Sequence, residues 1–211
     1  MLNKITYDNV VKGLITISLL FMAFGTKAAD FSGKVGVASD NYFRGVNMSD
    51  GFGYSGQINL GLDNGIFAGA SVMSLDETSD LMTTALVGYS FDLGGVDISV
   101  AYADRGFQGV DIDGWEEVNV YADFDLFSAY YSKGLDDAGD FYKVESSALK
   151  VVDVAYGDWD NAGSFIEVSK SFDLAGGSVK VGFIDHDNND EDLLDKVQDV
   201  DNFYVGYSYK F

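Results

Sequence analysis

The chain has 211 residues, no cysteine, no proline, 34 acidic against 13 basic side chains and a formal net charge of −21. Lacking cysteine, it has neither a disulfide framework nor a thiolate metal site. Its acidity repels a phosphate backbone and excludes nucleic acid as a partner, while 15% aromatic residues separate it from the disordered chains that strong acidity otherwise signals.

The first segment reads as an address. Lys4 and Lys12 precede an uncharged apolar run from Gly13 to Phe24, and Thr26-Lys27-Ala28-Ala29 supplies small residues at a cleavage position. That order predicts a cleaved signal peptide over 1–29; the run is too short for a spanning helix, which takes about 20 residues. With no cysteine after it, a lipoprotein anchor is excluded. The processed chain, 30–211, would carry 10 basic and 33 acidic residues and a net charge of −23.

From there the recurrent signal is two-residue alternation, which predicts strands. Twelve follow in order, near 31–39, 54–63, 66–74, 81–91, 96–104, 115–125, 126–133, 140–147, 149–158, 163–173, 177–185 and 202–211. Tyr54, Ile58, Leu60 and Leu62 alternate with polar neighbours early in the chain. Val96, Ile98, Val100 and Tyr102 do so in the middle, and Phe203, Val205, Tyr207, Tyr209 and Phe211 at the end. Lengths of eight to eleven suit a tilted strand crossing a bilayer. The connections alternate between short turns, such as Asp63-Asn64-Gly65 and Asp173-Leu174-Ala175-Gly176-Gly177, and longer acidic loops at 40–53, 75–80, 105–114, 134–139, 159–162 and 186–201. Short turns on one side and long loops on the other are the habit of outer-membrane barrels. Absence of proline fits a closed sheet in which nearly every N–H is used. Tyr89, Phe91, Phe124, Phe127, Trp159, Phe172, Tyr209 and Phe211 gather toward strand ends as interfacial girdles do. The expected fold is all-β, a transmembrane antiparallel up-and-down barrel of about twelve strands over 30–211. Lys170 falls on its lipid side and is expected to snorkel toward the nearby turn.

After the first strand the sequence reads Ser39-Asp40-Asn41-Tyr42-Phe43-Arg44-Gly45-Val46-Asn47-Met48-Ser49. This resembles the N-terminal signature of the TorF-type porins of Gram-negative outer membranes, also called the Gcw-chp family, whose pattern is close to Ser-Asp-x-Tyr-x-Arg-Gly-x-Ser-Gln. Asn47-Met48 departs from the closing pair. The glycine-rich second and third strands, the Phe-Asp-Leu hairpins and the aromatic end extend the resemblance over most of the processed chain. It implies an outer-membrane barrel.

Arg44 and Arg105, the two arginines of the sequence, fall near outer strand ends. With Asp97, Asp123 and Glu145 they form the expected pore or lumen-mouth set; the rival role for Arg44 is a salt bridge that pins the first loop. Asp185, Asp187 and Asn189 offer oxygen ligands for calcium. However, the stretch from Asp185 lacks the sixth-position glycine of an EF-hand loop and has Lys196 at the twelfth, so it reads first as a solvated acidic loop. His186 is the one histidine, and a histidine–serine hydrolase would have to use it. No serine or orienting group stands beside it in sequence, so no catalytic residue is assigned and no enzyme is expected. No cofactor is implied. Tyr209 and Phe211 are the expected assembly signal. The expected partners are outer-membrane lipid, the barrel-assembly machinery and small solutes or cations. The leading functional expectation is a small, cation-preferring diffusion channel, because acids in lumen and loops concentrate cations; the alternatives are a non-transporting structural or adhesive barrel and a secreted soluble β-protein.

Overall fold

The structure is a computed structural model and describes residues 29–49, 51–75, 80–110, 113–135, 138–160, 162–188 and 200–211. The signal segment, up to residue 28, and Asn189 lie outside them. Fourteen strands are present among the described residues: β1 (Ala29–Ala38), β2 (Tyr42–Phe43), β3 (Val46–Asn47), β4 (Gly53–Leu62), β5 (Ile66–Ser74), β6 (Leu81–Asp92), β7 (Asp97–Gln108), β8 (Trp115–Asp123), β9 (Phe127–Gly134), β10 (Phe141–Ser146), β11 (Asp153–Trp159), β12 (Gly163–Leu174), β13 (Gly177–Asp187) and β14 (Val200–Lys210). Twelve of them close into one antiparallel barrel, each pairing with its neighbours in sequence and β1 sealing the ring by pairing with both β4 and β14. The short hairpin β2–β3 stands apart from the ring. The last residue completes the seam: Phe211 and Gly33 exchange backbone hydrogen bonds at 2.8 and 3.0 Å.

Closure satisfies the backbone without edges, and it gives every strand an outer and an inner face. The outer face carries the large apolar side chains. Phe203 leaves 74% of its surface bare, Phe31 61% and Val87 50%, and such residues continue around the whole ring. A contiguous apolar surface of this kind marks an interaction or membrane face; in a bilayer, hydrocarbon would cover it. Aromatic pairs mark both borders of the belt. Phe124 stacks on Phe127 with centroids 4.5 Å apart, and Tyr89 on Phe91 at 6.0 Å, at the end bearing the tight turns. At the loop end Phe183 meets Phe203 at 4.9 Å and Tyr142 meets Tyr156 at 6.1 Å. Lys170 does lie on this outer face, and its ammonium reaches the Lys150 carbonyl in the adjacent turn at 3.0 Å.

Three local features differ from the sequence reading. β7 runs on to Gln108, which places Arg105 within a strand rather than in a loop. β11 starts at Asp153. The stretch before it is a turn in which Lys150 takes φ 58° and donates to Ser147 at 3.0 Å, and its apolar Leu149 and Val151 project outward, unpaired by any strand. Trp159 is not part of an outer girdle. It shares the inward parity of Ala155 and Gly157, stands in register with Phe141 and Gly163, and is 2% exposed.

Candidate functional site in the barrel lumen

The segment 39–49 does not hang over the barrel mouth; it folds into the lumen. Its tip is a two-residue hairpin, Phe43-Arg44-Gly45-Val46, in which Arg44 has φ 54° and Gly45 φ 89°. Two successive positive φ values define the type I′ turn that suits tight hairpins. Gly45 pays no steric cost there, whereas Arg44 is a non-glycine residue held in a sparsely populated region, the kind of strain that surrounding contacts must maintain. A side chain at position 45 would also collide with the Phe165 ring, whose nearest atom lies 2.4 Å from where a Cβ would stand. Asn41 anchors the base of the segment. Its amide nitrogen donates to the Ser74 hydroxyl and carbonyl, both at 3.0 Å, and its backbone N–H to the Ser49 hydroxyl at 2.7 Å.

Arg44 reaches the far wall. Its guanidinium donates to Glu117 at 2.5 Å and to the Ser132 hydroxyl at 3.0 Å. The same carboxylate accepts Arg105 Nε at 3.1 Å and the Trp115 indole N–H at 2.7 Å, and Arg105 donates onward to Thr84 at 2.8 Å. Glu117 is fully buried. A buried carboxylate is tolerated only when its lone pairs and charge are met, and here two cations and an indole meet it. Burial pulls the Arg44 guanidinium below its ordinary value and the Glu117 charge pulls it back up. Rings enclose the guanidinium: its carbon sits 4.7 Å from the Phe141 centroid, 5.0 Å from Phe43 and 5.2 Å from Trp159, within cation–π range. Phe43 meets Trp159 edge-on at 5.9 Å, and Trp115 lies 5.9 Å from Trp159 and 4.9 Å from Phe107. Tyr42 contacts Tyr204 at 5.4 Å on the opposite wall. Partners on β5, β7, β8, β9, β10, β11, β12 and β14 can meet one short hairpin only if it lies inside the ring. The loop-end half of the lumen is therefore narrowed by an aromatic cluster with an ion network at its centre.

The turn-end half has a different wall. Inward parity there places Ser32, Lys34, Asp97, Ser99, Asp123, Ser128, Lys143, Glu145, Glu167 and Lys180 around a polar space. Lys143 pairs with Glu145 at 2.7 Å, and Glu167 accepts both the Lys180 ammonium and the Tyr204 hydroxyl.

The five residues expected at the lumen mouth thus fall into two groups. Arg44 and Arg105 are joined through Glu117 deep in the loop-end half, and Asp97, Asp123 and Glu145 line the turn end. Glu117, Trp115 and Phe141, which help organise the first group, carry no site reading in the sequence, and Trp159 reads there as a girdle aromatic. The available signal is Tyr42-Phe43 before and Val46 after Arg44-Gly45, strand formers flanking a two-residue turn inside a segment read as a loop. Asp185 and Asp187 sit on the outward parity of β13, and among the described residues no group of three or more histidine, cysteine or acidic side chains could hold a metal. His186 is not in a loop: it lies within β13, buried, in register with Phe165.

Among solved structures, the KdgM porin matches over 85% of this chain and 99% of its own, with 13% identity and a TM-score of 0.55. The fold is that of a porin-type outer-membrane barrel. Weaker likenesses are to the outer membrane phospholipase A of Escherichia coli (12% identity, 84% of this chain and 94% of that one, TM-score 0.44) and to a mutant Rh. blastica porin (13%, 87% and 99%, TM-score 0.37). No protein-family model and no curated protein sequence matches the chain with significance.

Proposed function

We propose that this chain is an outer-membrane barrel of the TorF type that passes small solutes by diffusion and prefers cations. One observation carries the reading: the barrel wears an apolar belt outside and a wet, charged wall inside, and a lumen lined by Asp97, Asp123, Lys143, Glu145, Glu167 and Lys180 is costly to retain unless water fills it. Cation preference has its source in the acidic excess of the chain, much of which lies in the long loops that a solute meets first. The Arg44 hairpin narrows the path at the loop end. Lipid is the partner of the outer belt, and Tyr209 and Phe211 serve as the signal read by the barrel-assembly machinery. A salt-gradient recording of the purified protein in a planar bilayer tests this; an anion-selective current would overturn the preference.

A second reading has its own support. The hairpin and its rings fill much of the loop-end half, and a fully occluded lumen would make this a non-conducting structural or adhesive barrel. The same recording separates the two, since an occluded barrel carries no current.

A further inference from the structure

The wall of the barrel is lowest at β10 and β11, the shortest strands of the ring at six and seven residues. At about 3.3 Å per residue and a tilt of about 40°, six residues rise roughly 15 Å, short of an apolar band about 25 Å tall. The connection between the two strands makes up the difference. It runs over 147–152, six residues, against three or four at 63–65, 93–96 and 124–126 and two at 175–176. Its Leu149 and Val151 stand bare, which water disfavours and hydrocarbon favours. The turn is tied on both sides. The Ser147 N–H donates to the Leu126 carbonyl of the neighbouring turn at 3.1 Å, and the Lys170 ammonium of β12 donates to the Lys150 carbonyl at 3.0 Å. Beside it Phe172 and Leu174 continue the outward parity of Lys170, both exposed.

Two lysines therefore meet on an apolar ledge. None of the other four turns contains a basic residue. Register turns Lys34, Lys143, Lys180 and Lys210 toward the lumen, and Lys133, at the loop end of the outer face, is held by Asp140 at 2.9 Å. Lys150 and Lys170 have no ion-pair partner among the described residues, in a chain of 34 acidic side chains. Asp153 and Asp173, close by in register, take the inward parity, and Asp125 of the neighbouring turn pairs with neither lysine. An ammonium has three N–H donors, and Lys170 uses one on the Lys150 carbonyl. Short turns of such barrels face the periplasm, where the anion that lies at the border of the hydrocarbon is a phospholipid phosphate.

We infer that this ledge is a phospholipid site, taking the phosphate of one glycerophospholipid between Lys150 and Lys170 and its acyl chains along Leu149, Val151, Phe172 and Leu174. The site rests on the outer-membrane part of the reading above and not on conduction.

Native mass spectrometry of the purified protein in detergent gives the test, with dioleoylphosphatidylglycerol and dioleoylglycerol titrated side by side. The two lipids have the same chains and differ in the phosphate headgroup. The wild type is expected to hold one phosphatidylglycerol at about a tenth of the concentration that dioleoylglycerol requires. K150Q/K170Q should remove that tenfold advantage and leave dioleoylglycerol binding as it was, whereas K133Q, on the same outer face at the loop end, should leave both alone. Tryptophan emission, set in the loop-end half, reports that each variant is folded. Equal wild-type affinity for the two lipids, a result that needs no variant, overturns the site. So does a double variant that binds phosphatidylglycerol like the wild type, or a K133Q that weakens it as much. Any of these leaves the barrel and the channel standing; a protein that stays dispersed without detergent removes them together with the site.

Discussion

Glu117→Gln strikes the centre of the lumen network without changing its shape. The carboxylate meets Arg44 at 2.5 Å and Arg105 at 3.1 Å with no exposure to solvent. The amide keeps one acceptor oxygen but leaves two guanidinium groups facing each other without the carboxylate charge between them. Stripping a buried charge of its partner costs about 3–5 kcal/mol. Arg105 is fixed on a strand, but Arg44 rides on a hairpin that can leave, so the cost falls on docking. At 1.4 kcal/mol per decade the docked-to-undocked ratio falls by about two to three and a half decades. Arg44→Ala is milder, because Glu117 keeps Arg105 and Trp115; it forfeits charge-assisted hydrogen bonds of about 1.5–3 kcal/mol. Two readouts follow the hairpin. The two tryptophans of the chain both pack on Phe43 or beside it, so their emission should move to the red as water enters. Conductance through the loop-end half should rise. Both changes should be larger in Glu117→Gln than in Arg44→Ala. Equal emission and current in wild type and Glu117→Gln, or a larger effect from Arg44→Ala, would refute the network as the hairpin's anchor.

Gly45→Ala should also unseat the hairpin, through the Phe165 collision and the φ of 89°; its tryptophan emission should match that of Glu117→Gln, and a wild-type spectrum would contradict it. Lys170→Leu should change urea-unfolding stability in vesicles by less than about 1 kcal/mol, since a lysine near the interface costs little. A loss above roughly 2 kcal/mol would show the bond to the Lys150 carbonyl to be structural. At the loop end, hydrogen bonds from Lys133 and then Tyr131 hold the Asp140 carboxyl below its usual range. A depressed carboxyl stabilises above its unfolded value and loses that contribution as pH falls, so the loop tether should slacken below about pH 4. Amide exchange around Phe141 should therefore show an acid step that Asp140→Asn lacks, and an identical profile in both proteins would exclude the tether.

The barrel was legible because its period is strict. Alternation in Tyr54–Leu62, Val96–Tyr102 and Phe203–Phe211 assigns a face to each residue once the strand is known, and a closed ring is the arrangement that leaves no unpaired edge under an apolar belt. The site was legible only in part. Arg44 stood out by rarity, but its partner did not, since Glu117 is one acid among 34 and sits 73 positions away in sequence. Trp159 looked like an interfacial aromatic because girdle and plug draw on the same residue types; only the register with Phe141 and Gly163 tells inward from outward. The β2–β3 hairpin escaped because Arg-Gly is a rare choice where Asn-Gly is usual.

That distance between Arg44 and the groups it meets has a temporal meaning. Glu117 lies 73 residues downstream and Ser132 88, and Phe165 follows later still. Strand-to-strand turns close over short loops, whereas this contact must wait for a long one. An early stretch of chain is therefore left without its destination until β8 and β9, which carry Glu117 and Ser132, have been made. The vessel takes shape before its stopper, and a partly built barrel is more open than the finished one.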